Sequence, residues 1–231
     1  MVKAQQILQL FVTDEDIDMA LELALSNQFL DNLRSRPMAV QLDCKVRGYI
    51  GEIALKRWFA AHDIVFAESN FMPDGEMIDI DFLYQKAGKN IKIEVKTSLL
   101  PDKYTTIGDA IQVCDIKLIQ RKQQPIVELS GDVHLQIYFN FYRKKRDEYL
   151  SSLTLENQEK EYLKSILKLN RYKEATYFAA WIDKESLQAH ILGLPEQKRL
   201  WSFKGSMRQF WTCNIAKTAK PAAELPVFLK N

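Results

Sequence analysis

The 231-residue sequence predicts an α/β (α+β) fold, a mixed β-sheet flanked by helices. Three observations carry that expectation. Segments with helical spacing of apolar residues alternate along the chain with segments of strict apolar–polar alternation. The apolar share is 47% and the charged share 27%, ordinary for a globular chain long enough to bury a substantial core. There is no low-complexity tract, long linker or fixed-period repeat, so 1–231 reads as a single domain, or one domain with a small appendage.

The elements follow in order. Thr13-Asp14-Glu15-Asp16 reads as an N-cap and acidic first turn, opening a helix to about Arg34 (segment 14–35) that Pro37 helps to end. A second helix is expected from about Cys44 to His62, and a short strand over Ile64–Glu68. A β-hairpin spans about 77–97. Residues 98–132 are ambiguous, with a strand expected near Ala110–Leu118. Val133–Tyr142 is a strong strand: Val133, Leu135, Ile137, Phe139 and Phe141 face one way, and His134, Gln136, Tyr138, Asn140 and Tyr142 the other. A charged helix is expected over about Arg146–Tyr172 and another apolar strand over Ala175–Ile182. From Gly193 the tail mixes Trp201, Phe203, Phe210 and Trp211 with Lys198, Arg199, Lys204 and Arg208.

Composition excludes several classes. A net charge of +2 is no bulk polycation, so nucleic-acid binding would need local clustering of Lys and Arg. No apolar run approaches the roughly 18 residues of a membrane span, and Met1–Gln6 lacks the features of a signal peptide. Cys44, Cys114 and Cys213 are odd in number and form no C-x-x-C pair, which reads as free, mostly buried thiols in a reducing cytoplasm. That spacing argues against zinc or an iron–sulfur cluster. His62, His134 and His190 are isolated and read as structural or surface residues.

The chemistry concentrates in the hairpin. Ile78, Ile80 and Phe82 alternate with Asp79, Asp81 and Leu83, and Ile91, Ile93 and Val95 alternate with Lys92, Glu94 and Lys96. Between them Lys86–Asn90 is a polar turn with Gly88 for the φ > 0 position. A turn centred near Gly88 brings Asp81 opposite or diagonal to Glu94 and Lys96, at Cβ separations of about 5–8 Å. Glu94 and Lys96 share a face. Two carboxylates and an ammonium then converge, as a divalent-metal site requires. The plainer reading is a solvated hairpin face with a weak cross-strand ion pair. Against it, these charges sit within β-branched and aromatic runs.

In the second helix Val46, Ile50, Ile53 and Ala54 fall at helical spacing, with Gly48 and Gly51 beside Glu52. Each interior glycine costs about 1 kcal/mol relative to alanine, which suggests a close approach. That approach would let Glu52 meet the sheet or a bound phosphate. Alone, Glu52 reads equally as half of an i,i+4 pair with Lys56.

Gly51-Glu52-x-Ala54, a strand-borne aspartate and then Glu94-Val95-Lys96-Thr97-Ser98 resemble the PD-(D/E)XK nuclease superfamily over about Gly48–Ser98. Gly48–Glu52 with Glu76–Asp81 is similar to its small resolvase-like bacterial members. Those carry the aspartate thirteen residues before the Glu of Glu-Val-Lys, which selects Asp81 and leaves Asp79 as rival. Pro73-Asp74 spells the family's "PD" but lies too far from the strand. The resemblance implies a restriction-endonuclease-like core (about 44–183), with the N-terminal helix before it and a recognition or dimerisation segment (193–231) after it.

It further implies a Mg²⁺-dependent endodeoxyribonuclease with catalytic Glu52, Asp81, Glu94 and Lys96. Asp81, Glu94, the Val95 carbonyl and Glu52 would serve the metal, and Mn²⁺ could substitute. The 130 residues beyond the motif favour a type II restriction enzyme, a cytoplasmic homodimer on double-stranded DNA. The alternative is a structure-specific enzyme, a Holliday-junction resolvase or repair nuclease. A non-catalytic DNA-binding or structural protein fits less well with the full residue set. Candidate DNA contacts are Ser98, Lys103, Arg143, Lys144, Lys204 and Arg208. Arg143–Arg146 reads equally as a solvated helix start, and the tail aromatics equally as core packing.

Overall fold

A computed structural model describes residues 1–26, 36–66, 80–204 and 207–231. The chain is a mixed α/β structure whose main sheet is flanked by helices. A short strand β1 (Leu8–Gln9) leads into helix α1 (Asp14–Ser26), whose start is a box: the Asp16 amide donates to Thr13 Oγ1 at 3.2 Å and the Thr13 amide to Asp16 Oδ2 at 2.8 Å. Helix α2 (Met38–Ala60) follows with Pro37 at its N-cap, so the proline opens this helix.

The predicted strand at Ile64–Glu68 is not formed over 64–66, and 67–68 lie outside the described residues. The Ile64 amide bonds back to the Phe59 carbonyl at 3.0 Å, and Ile64 and Phe66 enter the core as loop side chains. Their apolarity serves packing rather than a ladder. The hairpin is present as β2 (Phe82–Lys86) and β3 (Lys89–Leu100), with its earlier part (77–79) outside the described residues. Its two-residue turn has φ of 48° at Ala87 and 79° at Gly88, the handedness that matches strand twist.

Residues expected to form a strand over 110–118 divide into helix α3 (Ile107–Val113) and strand β4 (Asp115–Ile119). Thr106 caps α3 by accepting from the Asp109 amide, and Asp109 accepts from the Thr106 hydroxyl. This Thr106 N-cap outweighs the β-branched content of the segment. Strand β5 (Val133–Tyr142) has the predicted bounds and helix α4 (Arg143–Ser151) follows directly.

The single helix expected over 146–172 is broken into α4, α5 (Lys160–Ile166) and the short α6 (Tyr172–Ala175). Asn157 Oδ1 takes the Glu159 amide, and Lys168 adopts φ 52°, both of which interrupt a helical ladder. Strand β6 (Thr176–Asp183), helix α7 (Lys184–Leu192), strands β7 (Trp201–Ser202) and β8 (Gln209–Asn214), and helix α8 (Leu225–Lys230) complete the chain.

The main sheet runs β1-β6-β5-β3-β2, with β3 and β5 parallel and the other neighbours antiparallel. A second sheet runs β4-β8-β7. One face of the main sheet (Ile93, Leu135, Ile137, Phe139) packs on α1 and α2. The other (Leu100, Tyr138, Ala180, Ile182) packs with Ile116, Leu118 and Trp211 of the second sheet and Leu187 of α7. No helix among the described residues is long and apolar enough to cross a membrane.

Candidate active site

Gly51 sets how closely α2 lies on the main sheet. A Cβ there would stand 2.9 Å from Thr97 Cγ2 and 3.1 Å from Ile137 Cδ1, so only glycine permits the contact. Gly48 has no such need: its Cβ would meet only Glu52 Oε1, at 3.9 Å. Since Thr97 and Ile137 face α2, alternation turns Glu94, Lys96, His134 and Gln136 to the opposite face, toward the second sheet.

The paired register ends with Phe82 opposite Ile93, and Asp81, just before β2, also faces Ile93 rather than continuing the register to Glu94. Asp81 is fixed at both ends: its amide donates to the Ile93 carbonyl at 2.9 Å, and its Oδ2 accepts from the Val95 amide at 2.6 Å. The rival Asp79 lies outside the described residues. Glu52 projects from α2 toward this carboxylate. Burial first, and the charge of Asp81 second, push the Glu52 carboxyl well above the ordinary carboxylate range.

Glu94 is in a different state. Burial would raise its carboxyl, but hydrogen bonding to His134 and the Lys96 ammonium outweigh it, and its pKa lies below the ordinary value. Glu94 Oε1 pairs with Lys96 Nζ, and Oε2 lies 2.7 Å from His134 Nδ1. An ionised Glu94 requires Nδ1 to carry the proton, which fixes the ring's orientation. His134 is fully buried, its Nε2 has no hydrogen-bond partner among the described residues, and Gly131 lies against the ring: a Cβ there would sit 2.6 Å from His134 Cε1.

Sequence reading took His134 for a structural residue. Parallel pairing of Glu94 with His134 across forty residues is what joins them. The available signal was its place on the polar side of the 133–142 strand, beside the motif only once the sheet order is known. Gln136, next along that side, donates to the Lys96 carbonyl at 3.1 Å and holds the backbone of the motif.

The four motif residues thus fall into two sets, Glu52 with Asp81 and Glu94 with Lys96 and His134, joined through the bond from the Val95 amide to Asp81 Oδ2. No three His, Cys, Asp or Glu among the described residues gather into a ready-made metal cage. Two crowded carboxylates nevertheless suit one Mg²⁺, which is commonly held by one or two carboxylates with waters and phosphate oxygens. A cation there would relieve the repulsion felt by Glu52, so the donor chemistry fits.

A cavity of about 680 Å³ opens beside Lys96, between the two sheets. Six cations line it (Arg36, Arg47, Lys96, Lys103, Lys117 and Arg143) against three carboxylates (Asp102, Asp115 and Asp147). This is the local clustering that the near-neutral net charge leaves open. Ser98, Lys103 and Arg143 line the cavity, and Lys144 lies just outside it. Lys204 and Arg208 are exposed between β7 and β8, outside the lining. The cation run at the start of α4 tolerates the helix dipole because Asp102 accepts from the Lys144 amide at 2.7 Å, supplying an anionic cap.

No protein-family model, curated protein or solved structure matches the chain. Its functional reading therefore rests on the residues themselves.

Proposed function

We propose that the chain is a divalent-metal-dependent endodeoxyribonuclease of the PD-(D/E)XK type. The observation that supports this best is one junction. Glu52 lies near enough to Asp81 to feel its charge, and Asp81 accepts from the Val95 amide. On either side of Val95 an ionised Glu94 is paired with Lys96, which lines a cation-rich cavity. A structural ion pair on a hairpin would have no use for a second, repelling carboxylate brought from a helix.

Glu52 and Asp81 would hold Mg²⁺, with the Val95 carbonyl and Glu94 as further candidates. When bound, the ion supplies Lewis-acid stabilisation of the phosphate and a more acidic water. The protein's own part is positioning. Lys96, shared with Glu94, orients the attacking water and offsets negative charge developing on the phosphate oxygens. Water adds to phosphorus, the P–O3′ bond breaks, and the departing 3′ oxygen takes a proton, leaving a 5′-phosphate. His134 holds Glu94 in the ionised form that keeps Lys96 in place.

A sequence-specific type II restriction enzyme would use the second sheet, which faces the motif, to read its target. Most of that sheet comes from the residues beyond the core. A structure-specific nuclease is favoured by a different observation. The cavity is of the size that holds a small ligand, about 300–1,000 Å³, rather than the width of a duplex.

The test is incubation with Mg²⁺ and long linear duplex, beside a Lys96→Ala control. Discrete fragments lost in the variant are expected of a restriction enzyme. Cleavage of four-way junctions or flaps alone would move the assignment to the second reading. Intact DNA throughout, with Mn²⁺ as well, would sink the nuclease reading.

A further inference from the structure

We propose that the wall of the cavity opposite Lys96 is a stacking shelf for an unpaired nucleobase, so that the groove takes single-stranded DNA. The inference deepens the nuclease reading and rests on the cavity being its substrate groove. Phe203 and Phe210 line the cavity from the second sheet. Trp201 packs edge-on to Phe203 with centroids 4.4 Å apart, and Phe203 edge-on to Phe210 at 5.6 Å.

Phe210 is anchored in the protein, but Trp201 is 38% and Phe203 41% exposed. Core packing therefore accounts for Phe210 and leaves the outer two rings unused. Lys117, on the neighbouring β4, holds its ammonium 4.4 Å from the Trp201 ring centre and 5.4 Å from that of Phe203. Exposed rings with one face under an ammonium and the other open beside a cationic groove suit a single strand, the open face taking a base and the surrounding cations the adjoining phosphates. β7 is the outer strand of its sheet, with no further strand covering the shelf among the described residues.

Charge complementarity favours a polyanion over an apolar partner, since Lys117 and the other cavity cations surround the rings. Scale favours one strand over two. The cavity of about 680 Å³ spans the distance from shelf to Lys96 with room for a small-molecule-sized fragment of chain.

The test measures binding alone, by fluorescence anisotropy of a dye-labelled oligothymidylate and of a duplex of equal length, in EDTA. Oligothymidylate is expected to bind more tightly than duplex. Phe203→Ala should weaken it about tenfold, and Phe203→Tyr, which keeps a ring, should restore it. Thermal melts of both variants establish that they are folded. Unchanged oligothymidylate affinity in a folded Phe203→Ala protein overturns the proposal, as does duplex binding that equals or exceeds it. Without metal no cleavage enters the measurement. Loss of the shelf thus leaves the nuclease reading standing, and a protein that binds oligothymidylate but never cuts DNA would retain the shelf alone.

Discussion

Glu52 sits where its ionised form is disfavoured by burial and by Asp81. Where Glu52 is ionised it faces both that burial and the charge of Asp81, a conflict that an amide would not meet. Glu52→Gln is expected to raise the melting temperature in EDTA by about 2 °C or more, since about 1 kcal/mol corresponds to 2–4 °C at this size. Adding Mg²⁺ should raise the wild-type value and leave the variant nearly unmoved. Differential scanning fluorimetry reads both, and a variant that melts lower in EDTA would count against the conflict. The helix that carries Glu52 and the hairpin that carries Glu94 and Lys96 were legible in sequence because short-range rules govern both. His134 was not, because its meeting with Glu94 depends on which strands become neighbours.

Among the elements, α2 offers the sharpest contrast. Gly48 and Gly51 look alike in sequence, yet only Gly51 touches the sheet. Gly48→Ala should stabilise by up to about 1 kcal/mol through helix propensity. Gly51→Ala should destabilise by about 1–2 kcal/mol, as overpacking against Thr97 and Ile137 exceeds the same propensity gain. Urea unfolding of the two variants measures the difference in sign. The strands over 82–100 and 133–142 were readable from alternation, and that over 176–183 from its apolar run. The segments 107–119 and 143–175 were misread because side-chain caps, at Thr106 and Asn157, redirect chains whose apolar content is ambiguous.

At the scale of the molecule, buried charge ties the layers together. Asp43 is fully buried on α2 and accepts from Arg146 of α4 at 2.6 Å and Tyr172 of α6 at 2.7 Å, with Arg47 alongside at 3.0 Å. Asp43→Leu would strand two guanidinium groups, at about 3–5 kcal/mol. A fall in melting temperature of about 10 °C or more is expected on that cost. A second clasp joins the main sheet to the C-terminal segment, where Lys220 Nζ lies 2.5 Å from Asp183 Oδ2. Burial opposes ionisation of Asp183, but Lys220 and Ser186 outweigh it and lower its pKa below the usual 3.8. Its stabilising contribution is therefore complete above about that pH and is lost as the pH falls through the lower folded value. Melting temperature measured from pH 5 to pH 2 should show Asp183→Asn and wild type converging only at the acid end.

The parallel pairing of β3 with β5 has a consequence in time as well as space. Glu94 and His134 are forty residues apart, and a parallel ladder forms only after the whole intervening crossover has been laid down. Closing such a loop costs entropy before any contact repays it, so this pairing belongs to the slow part of folding. A nascent or partly folded chain carries the Glu-Val-Lys hairpin without the histidine that holds it. Refolding from urea should then regain hairpin and helix signals ahead of the β3–β5 pairing that buries His134, read by hydrogen exchange at β5.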